Sequence, residues 1–400
     1  MIDAVRLKWL LSESDARAGA AAEKLPLLSV SISWGVRRRE ASDTTTRAAS
    51  EDLSNYKVCR AGNLVINRMR AFQGALGIAG EDGIVSPDYA VLQVAPEVDA
   101  RWLNYFLKSE ATVAIMSSLV RGIGGTETGN VRTPRLNISD LQSMTVPLVS
   151  ATQQRAIADY LDRETIRIDT LIEEQQRLIE MLHERREATI RRALISGLEA
   201  AGTAPSGVDL MGDIPKHWRM VPTRYLCTIT TGSEDSGNAT DDGDYPFYVR
   251  GRQILRIDHY SFDEEAVMTP GDGQGGTGKV FHYFNGKFEA HQRVYVFKDF
   301  VGISAWYFYY FLSTFLRPVA LAGSNTVTME SLRRPLLADF RVALPPLDEQ
   351  RRITAYLDER TKKIDALIAE TEQFIELARE RRVALITAAV MGQINMGEVA

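Results

Sequence analysis

Gln154-Arg155-Ala156-Ile157-Ala158-Asp159-Tyr160-Leu161-Asp162 returns 196 residues later as Gln350-Arg351-Arg352-Ile353-Thr354-Ala355-Tyr356-Leu357-Asp358. The match continues without a gap to Ile190 and Ile386, with 19 identities in 37 positions. That is far above chance, and it marks an internal duplication, the first thing to settle about a chain. Both copies read as long helices, because residues 152–196 and 349–391 contain no proline and no glycine until their ends. In the first, a seam of positions spaced by four and three runs Leu161, Thr165, Ile168, Ile172, Gln175, Ile179, Leu182, Arg186. The second repeats it as Leu357, Thr361, Ile364, Ile368, Thr371, Ile375, Ala378, Arg382. Such spacing is a coiled-coil seam, and Leu171, Leu178, Leu367 and Phe374 are expected to widen it. Each helix would be about 60–65 Å long at 1.5 Å per residue. A helix of that length overruns one 150-residue domain, so the two stripes are expected to pack on each other rather than each on its own domain.

The sequence before each helix has another character. It is rich in glycine, β-branched and aromatic residues, and Val58–Met69, Ile84–Val94, Val280–Phe288 and Val294–Phe297 read as strands. A weak common plan links the two halves. Gly62-Asn63-Leu64-Val65 matches Gly271-Asp272-Gly273 loosely, and Trp102 to Phe106 pairs with Trp306 to Tyr310 as an aromatic helix. Glycine- and threonine-rich loops follow at 121–133 and 322–328, and Met144–Pro147 and Phe340–Val342 lead into the long helices. The expected organisation is a globular domain at 1–150, a helix at 151–197, a second globular domain at 198–345 and a helix at 346–400. The Ala/Gly/Pro/Ser stretch 199–208 reads as a linker. The fold class expected is α+β, with two globular domains alternating with two long helices in a pseudo-two-fold repeat.

Four hundred residues, 45% apolar and 25% charged, describe ordinary globular protein with more than one domain. No apolar run approaches a membrane span, and Trp9-Leu10-Leu11 is too short for a signal-peptide core, so the expected location is the cytoplasm. Cys59 and Cys227 are too few and too far apart for a cysteine zinc cage. Net charge is −5, and it is spread evenly: +1 over residues 1–150, −1 over 151–197, −3 over 198–345 and −2 over 346–400. A DNA-binding role would therefore depend on local base reading, with a partner supplying much of the phosphate affinity.

The motif search yields no catalytic site. Gly271–Val280 contains G-x-G-x-x-G and G-x-x-x-x-G-K, but Val280 stands where a phosphate loop needs Ser or Thr, and a strand pattern rather than a helix follows. The expected role is a loop where backbone approaches another chain segment or DNA closely. His183, His217, His259, His282 and His291 form no metal spacing. No adenine-methyltransferase tetrapeptide, Gly-x-Ser-x-Gly or nuclease constellation stands out, so a non-enzyme is expected, with no catalytic residue, metal or cofactor of its own.

Polar clusters suited to base edges recur instead. The first half offers Asn67, Arg68, Arg70 and Gln73 at a strand end, then Arg121, Thr126, Asn130 and Arg132 in a loop. The second offers Lys279, His282, His291, Gln292, Arg293, Ser324, Asn325 and Thr326. Arginine pairs with guanine, and asparagine or glutamine with adenine. Each cluster alone is an ordinary polar turn; their recurrence in both halves favours recognition. Arg37-Arg38-Arg39 could touch phosphates, although charge runs are usually solvated.

Leu344-Pro345-Pro346-Leu347-Asp348-Glu349-Gln350, Tyr356-Leu357-Asp358 and Ile364-Asp365-Ala366-Leu367-Ile368 resemble the specificity subunits of type I restriction–modification systems. So do Val146-Pro147-Leu148, Ile168-Asp169-Thr170-Leu171-Ile172 and Asp213-Ile214-Pro215-Lys216-His217-Trp218. Asn63–Met69, Gly83–Tyr89, Gly278-Lys279-Val280 and His291–Tyr295 extend the resemblance to nearly all of the chain. The first half departs in opening with Met1 to Leu11 rather than an Asp-Ile-Pro-x-His-Trp segment. The resemblance implies two target-recognition domains that each read half of a split double-stranded DNA sequence. It implies an antiparallel helix pair, acting as spacer and docking surface for methyltransferase subunits, with Leu161, Ile168, Ile172, Ile179, Leu182, Leu357, Ile364, Ile368 and Ile375 in the pairing. S-adenosylmethionine would come with those subunits, and ATP and Mg²⁺ with a motor-nuclease subunit. The alternative left open is a coiled-coil adaptor whose globular halves bind protein.

Overall fold

The computed structural model describes residues 3–39, 52–120, 135–199, 202–273, 277–322 and 331–394. The chain divides into two compact units, Met1–Gln175 with Gln373–Ala400, and Gln176–Glu372. Each long helix therefore gives one half to each unit.

In the first unit, β1 (Asp3–Arg6) and a 3₁₀ turn lead to β2 (Leu11–Ser14), then the hairpin β3 (Leu28–Ser31) and β4 (Gly35–Arg38). There follow β5 (Lys57–Cys59), β6 (Leu64–Asn67), β7 (Leu76–Ile78), β8 (Gly83–Val85) and β9 (Tyr89–Val94). After these come α1 (Ala100–Lys108), α2 (Glu110–Leu119), α3 (Ile138–Ser143), β10 (Thr145–Leu148) and α4 (Ala151–Ser196). The central sheet is antiparallel with order β2-β9-β6-β7, and β1 pairs with β10. Val58–Met69 and Ile84–Val94 each break into two strands. In the first, Gly62 takes φ +85° and the Asn63 side chain accepts from the Arg60 amide, which turns the chain. Both faces of the sheet are covered. Leu64, Ile66, Ala90 and Leu92 face α1 and the long helices, while Val65, Tyr89 and Val91 face β3, β5 and β8. Successive residues point to opposite faces, so a strand with two cores reads as a continuous apolar run.

The second unit contains β11 (Thr203–Pro205), β12 (Asp213–Pro215), β13 (Arg219–Pro222), β14 (Thr228–Thr231), β15 (Tyr245–Tyr248), β16 (Ile254–Ile257), β17 (Phe262–Pro270), β18 (His282–Ala290) and β19 (Val294–Lys298). It continues with α5 (Ala305–Ala322), α6 (Arg334–Asp339), β20 (Arg341–Leu344) and α7 (Leu347–Val390). Its sheet has order β14-β19-β17-β18-β15-β16, antiparallel except for β15 beside β18. The stretch read as a linker is built into this unit, because β11 pairs with β12 and Trp218 packs against Gly197.

The duplication extends beyond the helices. The strands β2, β9, β6 and β7 correspond to β14, β19, β17 and β18, and β1–β10 corresponds to β13–β20. The looser sequence pairings shift accordingly. The amide of Leu136 donates to Arg68 in one unit and that of Leu332 to Gly271 in the other, so Gly271 stands where Arg68 does, not at Gly62. Trp102 and Tyr307 are the equivalent fully buried anchors, and Trp306 takes the place of Arg101. Hydrogen bonds set this register. The Asp99 amide donates to Gln154 and the Ser304 amide to Gln350, both at 2.8 Å. The Tyr105 hydroxyl donates to Asp162 at 2.8 Å and the Tyr310 hydroxyl to Asp358 at 2.7 Å.

The helix seams hold as expected, antiparallel within each unit. In the first unit Ile157 and Leu161 share a core with Ile386 and Val390, and Arg382 pairs with Asp169 at 2.8 Å. In the second, Leu182 packs with Ile364 and Ile368, and Arg186 pairs with Asp365 at 2.8 Å. Ile375 is buried and Ile172 and Ile179 are half-buried. The widening residues are not in the seam. Leu178, Leu367 and Phe374 lie in solvent and Leu171 is only half-buried, since each directly precedes a seam residue and so sits about 100° around the helix from it. Among the described residues no helix is long and apolar enough to cross a membrane.

Gln350 is fully buried; it accepts from the Ser304 amide and donates to the carbonyls of Pro345 and Gly302. Gln350→Ala is expected to destabilise the second unit by about 1–3 kcal/mol, as it removes the partner of three backbone groups, of which the Pro345 carbonyl is buried. Urea denaturation checks this, and a change below about 1 kcal/mol would contradict the latch.

Candidate nucleic-acid interface

In the first unit β6 runs into a tight turn that presents Asn67 to Arg70. Asn67 is 8% exposed, and its side-chain oxygen accepts from the Met69 amide at 3.2 Å. Arg68 turns inward and donates to the Leu136 carbonyl at 3.1 Å. Arg70 projects into solvent. Asn67, Met69 and Arg70 line a cleft of about 780 Å³ with Ser31, Trp34 and Asp88. The buried Ser29 hydroxyl on its wall has no hydrogen-bond partner among the described residues. Such a cleft, with the exposed Arg70, an aromatic ring and hydroxyls, suits polar base edges. Gln73 lies elsewhere, in a crevice of about 520 Å³ beside Lys108 and Asn104.

In the second unit the Gly-rich stretch is the β17–β18 connection. Thr269 donates to the Val280 carbonyl across it at 2.9 Å, and β18 rather than a helix follows. A Cβ on Gly271 would lie 2.7 Å from the Tyr295 ring, so the close approach is to another segment of this chain. The predicted residues of this half fall into two groups. Lys279 and His282 border a crevice of about 530 Å³. Gln292 and Arg293 border a smaller hollow with Arg333 and Arg334, which the sequence reading missed. Both are tied down: Gln292 donates to Asp235 at 3.3 Å and Arg293 to Asp272 at 2.6 Å.

His291 is 2% exposed, and its Nδ1 accepts from the Arg293 amide. Burial, reinforced by Arg250, holds its pKa below the ordinary imidazole value; burial does the same to His282. Both rings are neutral at neutral pH and add no charge toward a phosphate. Arg121, Thr126, Asn130, Arg132, Ser324, Asn325 and Thr326 lie outside the described residues. Among the described residues no cluster of His, Cys, Asp or Glu is arranged to hold a metal.

Residues 215–377, most of the second unit, match the family described as the type I restriction modification DNA specificity domain. This part of the chain is similar to a type I specificity domain. The chain is 30% identical over 184 residues to the type I restriction enzyme EcoDI specificity subunit of Escherichia coli, covering 46% of this chain and 40% of that protein. With the EcoBI specificity subunit, also from Escherichia coli, it is 33% identical over 89 residues, 22% of this chain and 19% of the other. The matches thus span less than half the length of these curated relatives. The fold likeness is wider. The crystal structure of an HsdS subunit from Thermoanaerobacter tengcongensis superposes over 98% of this chain and 97% of its own, at 16% identity and a TM-score of 0.57. A chain from a study of complex assembly and conformational transition of the type I R-M system superposes over 97% of each, at 17% identity and a TM-score of 0.66. The matched region contains β13 to β20 and roughly the first two thirds of α7. The first unit repeats its central strands, its aromatic helix and its latch to a long helix.

The geometry separates structural from surface positions near Asn67. Asn67→Ala is expected to cost about 1–2 kcal/mol, because the Met69 amide loses its acceptor. Arg70→Ala should stay within about 0.5 kcal/mol of the unaltered chain. Urea denaturation of both variants reads the difference; equal effects would show that the turn is not organised as described.

Proposed function

We propose that this chain is the DNA sequence-specificity subunit of a type I restriction–modification complex. One observation carries the reading: the unit bearing the specificity-domain match is present twice, down to its hydrogen bonds. Two equivalent recognition units suit a bipartite double-stranded target, each reading one half. The chain itself is non-catalytic and acts in the cytoplasm. Methyltransferase subunits bring S-adenosylmethionine, and a motor-nuclease subunit brings ATP and Mg²⁺.

Exposed apolar residues support docking of two methyltransferase subunits. Phe374 and Leu377 are 43% and 55% exposed in the first unit, and their equivalents Leu178 and Met181 are 36% and 58% exposed in the second. The pairs repeat at the same position of the duplicated helix, so each unit offers one copy of the same patch. Arg70 and the cleft around it act in one half-site, and Gln292 and Arg293 in the other. Phosphate affinity is shared with the partners, which reconciles DNA binding with a net charge of −5.

Sequencing of modified bases, in cells holding the methyltransferase with and without this gene, tests the reading. Deletion is expected to abolish adenine methylation at one split motif, and replacement of residues 198–345 to change only one half of it. An unchanged methylome would overturn the proposal. The spacing mechanism has its own test. A four-residue turn added to both long helices, at Gln175 and Thr371, is expected to move methylation to a motif with a longer spacer. Retention of the original spacer would exclude the helices as the ruler.

A further inference from the structure

The crevice beside Lys279 in the second unit has three walls. One is α5, with Tyr309, Ser313, Thr314 and Arg317; the second is the end of α4, with Arg186, Ile190 and Arg191; the third is the entry to β18, with Arg252 reaching in from the β15–β16 loop. Its charge is lopsided. Glu187 is the single acidic residue on its lining, against five lysines and arginines. Two of the five are engaged: Arg186 pairs with Asp365, and Arg191 lies 5.2 Å from the centre of the Phe315 ring. Among the described residues Arg252, Lys279 and Arg317 have no acidic partner, and His282 between them is neutral at neutral pH. Like charges gathered without counter-charge destabilise the folded chain unless an anion joins them.

We propose that this crevice seats the phosphate backbone of duplex DNA, with Arg252, Lys279 and Arg317 as its contacts. The proposal rests on the DNA reading above and adds a backbone anchor to it. An extended polyanion fits better than a mononucleotide. The three cations come from three separate elements, and Lys279 leads into a strand, so no helix N-terminus faces a bound phosphate. Phosphate contacts fix register and carry no base information, so they can lie apart from the base-reading loops. The equivalent crevice of the first unit is less basic: Arg101 is held by Asp99, Asp159 and Asp162, and Arg382 by Asp169. There Lys108 alone lacks an acidic partner among the described residues.

The test measures binding of a fluorescein-labelled duplex to the full chain across a salt series. The Arg252→Ala/Lys279→Ala/Arg317→Ala variant is expected to lower the slope of log K against log salt by about 2–3, near 0.9 for each phosphate no longer neutralised. The methylated motif should stay the same. A matched control, Arg163→Ala/Arg167→Ala/Arg177→Ala on exposed positions of α4, should leave the slope within about 1 of the unaltered chain. Circular dichroism confirms folding of both variants. An unchanged slope in the crevice variant, or an equal fall in both, would overturn the inference while leaving the specificity role intact. So would a crevice variant that keeps its slope but no longer holds a methyltransferase partner. Absence of any duplex affinity in the unaltered chain with methyltransferase subunits added would count against the specificity role itself, and this inference with it.

Discussion

A buried glutamine at the start of each long helix holds the preceding domain in place. Gln154 and Gln350 are at most 1% exposed, and each accepts a backbone amide from the residue that opens the aromatic helix. Each also donates to the carbonyl five residues before it. Two turns along, Asp162 and Asp358 take a hydroxyl from Tyr105 and Tyr310. Leucine and isoleucine along a helix seam tolerate sliding by a heptad; a glutamine that must satisfy fixed backbone groups does not. Such latches cost little when complete and more when broken, because the glutamine side chains are buried. The orientation of α1 and α5, and of the sheets packed on them, follows from these contacts.

This division of labour leaves the strand ends free to differ. Arg68 and Gly271 occupy the same place, and both offer their carbonyl to the equivalent leucine amide, Leu136 or Leu332. The backbone contact survives while the side chain changes from a guanidinium to nothing. The short turn after β6 and the long connection after β17 likewise leave the same pair of strands. A recognition surface can diverge on such a frame without disturbing either core, since its residues lie beyond the ladder rather than within it.

The parts legible in the sequence were those whose side chains do a repeated job. Gln154, Asp162, Thr165, Asp169 and Arg186 each recur 196 residues later, and each recurs with its contact: Thr165 and Thr361 donate to the carbonyl four residues back, and Arg186 and Arg382 take the aspartates. The alignment was in effect a list of latches. The strand pairing was less legible, because a sheet covered on both faces loses the period of two and gives Leu64-Val65-Ile66 no inside or outside. The aromatic helix was misregistered by one residue for a related reason. Trp102 and Trp306 look alike in composition, but Trp306 donates to Asp358 at the surface side while Tyr307 takes the buried place. Chemical likeness was weaker than position relative to the glutamine latch.

The candidate site shows the opposite limit. Arg68, His291 and Arg293 have the chemistry of base readers, and in the fold they also hold a carbonyl, an amide and an aspartate. Arg252 and Arg317 sit in unremarkable sequence, 65 residues apart, and acquire meaning only when the β15–β16 loop and α5 bring them to one crevice. Polar side chains near a turn face a choice between satisfying the local backbone and meeting a ligand, and the choice is set by what tertiary packing leaves unpaired. In the crevice beside Lys279 that packing leaves three cations together. A chain with net charge −5 that gathers three such cations in one crevice concentrates its attraction for an anion, rather than spreading it over the surface. Long-range steering is then weak, and register on the target depends on short contacts that only one placement of the duplex can satisfy.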